Sequence, residues 1–258
     1  MPLARRTVGI VLAGVLLGAG AAQGAEIKVM TSGAFTAAYL ELKTQFERAT
    51  GDKIVTLATS MGTGPDFIPT RLQRGEPVDV VIVDDTTLDD LIKNGKVLAD
   101  GKVPLGRSRI GMAVRAGAPK PDISSVDALK GTLLRAKSIA YSASVSGRYL
   151  SAELFPRLGI AEQIAAKSKR IEGERVGAVV ARGDAEIGFQ QVSELLPIEG
   201  IDYVGPLPPE VQSITVFSAG VAGGSKEQSA ATAFIKFLAS PSAVLAIIKS
   251  GMEPMASR

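Results

Sequence analysis

Residues 27–30 are a short apolar run that breaks at Thr31, Ser32 and Gly33. Over residues 35–49 the side chains of Tyr39, Leu42 and Phe46 recur at intervals of three and four, which predicts a helix with one buried face. Gly51 ends that helix and Asp52 opens a turn. Residues 53–58 form a second strand, broken by the polar, glycine-rich stretch Thr59-Ser60-Met61-Gly62-Thr63-Gly64. A helix over 65–74, a third strand over 79–83 and a helix over 88–94 follow, the last stopped by Gly95. Strands that are apolar throughout and alternate with helices predict a parallel sheet covered on both faces. Ligands of such sheets sit beyond the carboxyl ends of the strands, where the first two polar breaks fall.

The pattern then repeats. Residues 109–115 cross into a second region, and residues 139–141 form a strand followed by Ser142-Ala143-Ser144-Val145-Ser146-Gly147 and a helix over 148–158. A strand over 169–171, a helix over 176–182 and a strand over 185–189 deliver Gln190 and Gln191 to the same kind of position. Residues 214–222 return as an apolar strand, followed by helices over 227–238 and 243–249 separated at Ser240-Pro241. The expected organisation is α/β with two lobes. Residues 25–83 and roughly 210–258 make the first, residues 84–209 the second, with hinge crossovers between them and facing strand ends.

Composition narrows the chemistry. The 258 residues contain no histidine and no cysteine. Disulfides, thiolate metal sites, cysteine nucleophiles and Ser-His-Asp hydrolysis are excluded in their usual forms. No metal and no cofactor is expected, since neither a ligand cluster nor a phosphate-binding loop is present. Residues 1–24 read as an export signal: Arg5 and Arg6 precede a small and apolar run over 8–22, and Ala22-Gln23-Gly24 supplies small residues before Ala25. The expected compartment is the bacterial periplasm. The full chain carries +3; without Arg5 and Arg6 the balance is 27 basic against 26 acidic residues. The basic residues are scattered, so nucleic acid is not an expected partner.

Several stretches together carry a resemblance. They are Thr44-Gln45-Phe46-Glu47 with Thr50-Gly51, Arg71-Leu72-Gln73-Arg74-Gly75-Glu76-Pro77-Val78-Asp79-Val80, Gly147-Arg148-Tyr149, Arg182-Gly183-Asp184-Ala185-Glu186-Ile187-Gly188, and Phe234-Ile235-Lys236-Phe237-Leu238 before Ser240-Pro241. Over nearly all of the chain beyond residue 24 the sequence resembles the periplasmic molybdate-binding proteins. The resemblance implies the two-lobed class II solute-binding fold, with parallel-rich mixed sheets, an interlobe cleft, a small anionic ligand, a monomer and a transporter permease as membrane partner. The family presents serines from its first two strand-end loops and a tyrosine from the second lobe. Here the first serine position falls on Ala34, with Ser32 beside it, and Ser60 matches the second. An alanine position of the third loop becomes Ser146, near Ser144. The tyrosine position becomes Gln191, and a valine position becomes Arg175. Gly62 belongs to an expanded second loop.

Arg175 changes the expected ligand. A guanidinium is a rigid donor fork matched to a planar carboxylate, whereas a tetrahedral oxyanion is served by hydroxyls and backbone amides. The pocket residues Ser32, Ala34, Ser60, Gly62, Ser144, Ser146, Arg175 and Gln191 therefore suit an organic di- or tricarboxylate better than molybdate or tungstate. The alternative for Arg175 is a surface pair with Glu172 or Glu174. Arg148 either reaches the anion or forms an external salt bridge, and Asp84 and Asp85 read as helix caps.

The chain also resembles the aconitate isomerases, periplasmic enzymes of the same architecture. That resemblance implies allylic proton transfer between trans- and cis-aconitate, as an alternative to solute binding. Such a reaction needs a base, which with no histidine has to be a carboxylate, a lysine, a tyrosine or a water-linked pair; Tyr141, at a strand end, and Glu174, near Arg175, are candidates.

Overall fold

The computed structural model describes residues 24–60, 62 and 64–255. The expected signal segment lies outside them apart from Gly24. β1 (Glu26–Thr31) pairs in parallel with β2 (Lys53–Leu57), which follows α1 (Thr36–Thr50). After α2 (Ile68–Gln73), β3 (Val80–Asp84) pairs in parallel with the other edge of β1. Alternate side chains serve opposite faces. Ile27, Val29, Val80 and Ile82 pack with Tyr39, Leu42 and Phe46 of α1. Met30, Val81 and Val83 pack on the other side with Ile68 and Leu72 of α2 and with Leu88 and Leu91 of α3 (Asp85–Lys93). Two covered faces explain why β3 reads as a continuous apolar run over residues 80–83.

β4 (Val103–Arg115) is followed by α4 (Val126–Arg135), β5 (Ile139–Ser142), α5 (Val145–Tyr149), α6 (Phe155–Arg157), α7 (Ala161–Ala165), β6 (Ser168–Ile171), α8 (Val176–Arg182), β7 (Ile187–Gln191), α9 (Val192–Leu195) and β8 (Ile201–Pro206). The chain returns through β9 (Ile214–Val221), α10 (Gln228–Leu238), α11 (Val244–Lys249) and β10 (Glu253–Pro254). The strand order is β2-β1-β3-β9-β4-β7-β5-β6, with β8 and β10 also paired to β4. Pairing is parallel within β1–β3 and within β5–β7, and antiparallel wherever β4 or β9 takes part. The fold is thus α/β with a mixed, curled sheet.

β4 carries the crossing between lobes. From Val103 to Arg109 it pairs with β9; from Ile110 to Val114 it pairs with β7. Leu105 packs in the first core, with Phe217 and Ala219, while Ile110, Met112 and Val114 pack in the second, with Leu129, Leu133 and Phe189. Since Leu88 and Leu91 of α3 belong with β3, the crossing comes inside β4 rather than at residue 84. The helix expected over 148–158 is instead α5, a π turn over Leu150–Leu154 and α6. Pro156 supplies no N–H there, which disfavours an uninterrupted α-helical ladder.

Candidate functional site

The loops at the carboxyl ends of the strands face one another across a cavity of about 370 Å³. The first lobe contributes Ser32, Gly33 and Ala34 after β1, Thr56 to Ser60 and Gly62 at and after β2, and Asp84 after β3. The second lobe contributes Ser144 and Arg148 after β5, Glu174 and Arg175 after β6, and Gln191 and Glu194 after β7. Across the cleft, Gly62 lies against Ala143 and Glu172.

The polar groups of this cavity divide into satisfied and unsatisfied ones. Asp84 caps α3, accepting from the Thr87 N–H at 3.1 Å and from the Thr87 hydroxyl at 2.8 Å. Glu174 takes two hydrogen bonds from Arg182, at 2.9 and 3.1 Å, and that guanidinium holds its carboxyl below the usual range. Ser144 and Ser142 share a hydroxyl hydrogen bond of 2.7 Å. By contrast, the buried Ser32 Oγ and Gln191 Oε1 have no hydrogen-bond partner among the described residues. Gln191 is anchored through its Nε2, which donates to Thr215 Oγ1 at 2.9 Å. A buried polar atom without a partner costs roughly 1–3 kcal/mol, which points to a polar ligand.

Two guanidiniums line the same space. Arg175 is half-buried in extended backbone at the start of α8, and Arg148 is exposed on α5. Among the described residues neither forms an ion pair. Glu174 is taken by Arg182, and Glu172 lies 3.3 Å from Arg170.

Beneath them lies Glu194, only 2% exposed. Burial pushes its carboxyl up to about 7, against the opposing pull of Arg175 and of a hydrogen bond with Gln190. Gln190 Oε1 accepts from the Val176 N–H at 2.8 Å, which turns its amide nitrogen to the carboxylate. On the other side the carboxylate reaches the first lobe. A Cβ on residue 33 would overlap Glu194 Oε1, so glycine there admits the close approach. Among the described residues no group of three acidic side chains is arranged to hold a metal ion.

The sequence profile of the bacterial extracellular solute-binding proteins matches residues 27–253. The chain belongs to that family. An aconitate isomerase of Pseudomonas sp. is 47% identical over 230 residues, covering 89% of this chain and 88% of the relative. The molybdate-binding protein of Azotobacter vinelandii is 31% identical over 251 residues, covering 89% and 92%. The solved structure of an Azotobacter vinelandii periplasmic molybdate-binding protein superposes with a TM-score of 0.71 at 21% identity, over 90% of this chain and all of that one.

In this solute-binding protein Ser32, Ala34, Ser60, Gly62, Ser144, Arg175 and Gln191 all line one cavity, as does Glu174. Ser146 and Tyr141 stand elsewhere. Ser146 is buried behind the loop, with its Oγ 3.5 Å from that of Ser144. Tyr141 packs against the second core, edge-on to Phe155 at 5.9 Å between ring centres, because alternation along β5 turns it from the cleft. The expectation that Tyr141 takes part in proton transfer is therefore corrected, while Glu174 does line the cavity, with its carboxylate held by Arg182. Glu194 escaped the sequence reading. Its signal was one acidic residue in the otherwise uncharged run Ile187-Gly188-Phe189-Gln190-Gln191-Val192-Ser193-Glu194-Leu195-Leu196.

The third loop of the solute-binding protein depends on a close backbone contact. A Cβ on Gly147 would overlap the Ser142 carbonyl, which belongs to β5 and cannot swing aside. Gly147→Ala is expected to destabilise the chain by roughly 3 kcal/mol or more, lowering the melting temperature by about 6–12 °C. Scanning calorimetry checks this, and an unchanged melting temperature would refute the contact.

Proposed function

We propose that the chain is a periplasmic enzyme of the solute-binding fold that interconverts trans- and cis-aconitate by allylic proton transfer. The observation that carries this reading is that, among the described residues, Arg148 and Arg175 have no ion-pair partner, over a cavity whose buried Ser32 Oγ and Gln191 Oε1 also lack partners there. A planar tricarboxylate offers these groups several carboxylates at once. A compact tetrahedral oxyanion needs neither two guanidiniums nor a cavity of about 370 Å³. The 47% identical aconitate isomerase supports the same choice over the 31% identical molybdate-binding protein. The export-signal pattern over residues 1–24 supports a periplasmic location.

The chemistry follows from the substrate. Removing a proton from the methylene carbon leaves an allylic anion whose charge spreads onto the flanking carboxylates. Returning the proton to the other terminal carbon moves the double bond. Arg175, Arg148 and the Ser32 hydroxyl would hold the carboxylates and stabilise that charge as it develops. Ser60, Ser144 and Gln191 would fix the orientation. The chain acts as a monomer in this reading, with the small carboxylate as its partner.

The test mixes metal-free protein with trans-aconitate and follows cis-aconitate by chromatography, with deuterated solvent as a probe of exchange. Conversion is the expected result. Tight aconitate binding with neither conversion nor exchange would reject the enzyme and favour a carboxylate-binding protein that delivers its ligand to a permease.

A further inference from the structure

The isomerase reading needs a base that the sequence did not supply. Among the described residues three carboxylates line the cavity: Asp84, Glu174 and Glu194. The first is held by Thr87 and the second by Arg182. We propose that Glu194 is the catalytic residue that takes the allylic proton from the bound tricarboxylate and returns it to the far carbon.

The geometry supports each part of that role. Glu194 lies between the lobes, where Gly33 leaves room for its carboxylate and the Gln190 amide, tied to the Val176 N–H, fixes its orientation. Arg175 lines the same cavity, so base and cation can act on one substrate. In the forward step the C–H bond breaks, the proton joins a Glu194 oxygen and the electron pair enters the allylic system. In the return step the O–H bond breaks and a C–H bond forms at the opposite carbon. No electrons are gained or lost, and no co-reactant is consumed.

A carboxyl titrating near 7 is half ionised at neutral pH, so it can both accept and return a proton. The elements packed against α9 are β4, β7, α8 and the turn Gly33–Phe35. β7 and the turn carry no ionisable side chain. On β4, Arg107 and Arg109 pair with Glu253, and exposed Arg115 lies near Gly183. On α8, Arg182 pairs with Glu174 and Asp184. Arg175, at the start of α8, is the charged group that acts on Glu194.

This proposal rests on the isomerase reading, and the experiment separates the two. Wild type, Glu194→Gln and Glu194→Asp are compared for trans-aconitate binding, conversion, and exchange of the methylene hydrogens with deuterated solvent. Glu194→Gln should bind trans-aconitate with wild-type affinity or better, since a carboxylate is removed from an anion site. Its kcat should fall by about 10²–10⁴-fold, and exchange should fall in step. Glu194→Asp should recover part of the kcat with KM little changed. In wild type kcat/KM should rise with pH through about 7, and that limb should vanish from the residual activity of Glu194→Gln. Wild-type conversion and exchange by Glu194→Gln would overturn the proposal and leave the isomerase standing. If wild type neither converts nor exchanges, both fall. If Glu194→Gln loses binding, Glu194→Asp carries the test: a displaced pH profile supports the assignment, and an unchanged profile and kcat overturn it.

Discussion

Arg175→Ala is expected to weaken trans-aconitate binding by roughly 2 kcal/mol, a rise of about 30-fold in Kd. The figure sits at the low end for buried charge pairs because Arg175 is half-buried and water screens part of its field. Titration calorimetry reads it directly. A neutral triester of the same skeleton should lose little affinity, which separates charge recognition from a collapsed pocket. Arg175→Lys should recover only part of the loss, because an ammonium keeps the charge but not the two-pronged geometry. A second consequence is independent of affinity. Arg175 opposes the upward push of burial on Glu194, so removing it should move the acidic limb of kcat/KM to higher pH. Unchanged affinity together with an unmoved limb would remove Arg175 from the site.

Glu194→Gln should make the unliganded protein more stable at neutral and alkaline pH. The carboxyl titrates at about 7 in the folded chain against an ordinary 4.5. Between those values the folded state holds a proton that the unfolded state releases. Stability associated with Glu194 is therefore full below pH 4.5 and falls as pH rises towards 7. The accumulated difference is roughly 3 kcal/mol. Glutamine cannot ionise and avoids that loss. The two chains should melt together near pH 4.5, and the variant should melt about 6–12 °C higher at pH 8. Parallel melting curves across the whole range would mean that Glu194 is not strained by burial. The same substitution is expected to abolish most turnover, so stability and activity should move in opposite directions at one side chain.

The sequence carried much of this architecture because its strands are covered on both faces. The apolar run Val80-Val81-Ile82-Val83 and the apolar Ile27, Val29 and Met30 mark strands buried on both faces, and the polar breaks after them reached the cavity. Other elements were hidden for physical reasons. β8, with Gly205 and Pro206 in a six-residue stretch, owes its strand state to pairing with β4 rather than to its own pattern. The crossing inside β4 falls where the polar Arg107-Ser108-Arg109 gives way to the apolar run from Ile110, so residues 109–115 were legible as entering a second region, while the pairing of the preceding half with β9 was not. Within the site, Arg175 was legible as a charge beside a helix start. Tyr141 misled because a residue near a strand end faces the cleft or the core according to a one-residue register. Glu194 was hidden because its burial depends on Gly33, far away in the chain, and on a helix too short to leave a periodic signal.

The position of β9 between β3 and β4 also bears on how the chain is made. Val80 pairs with Val221, so the first lobe cannot close its sheet until the second has been synthesised. At about 5–20 residues per second, the edge of β3 waits roughly 7–30 seconds for its neighbour. During that interval an apolar strand with unpaired N–H and C=O groups is open to any passing strand. A nascent chain of this protein therefore needs its first hundred residues kept from premature association, and fragments that stop before β9 should aggregate rather than fold.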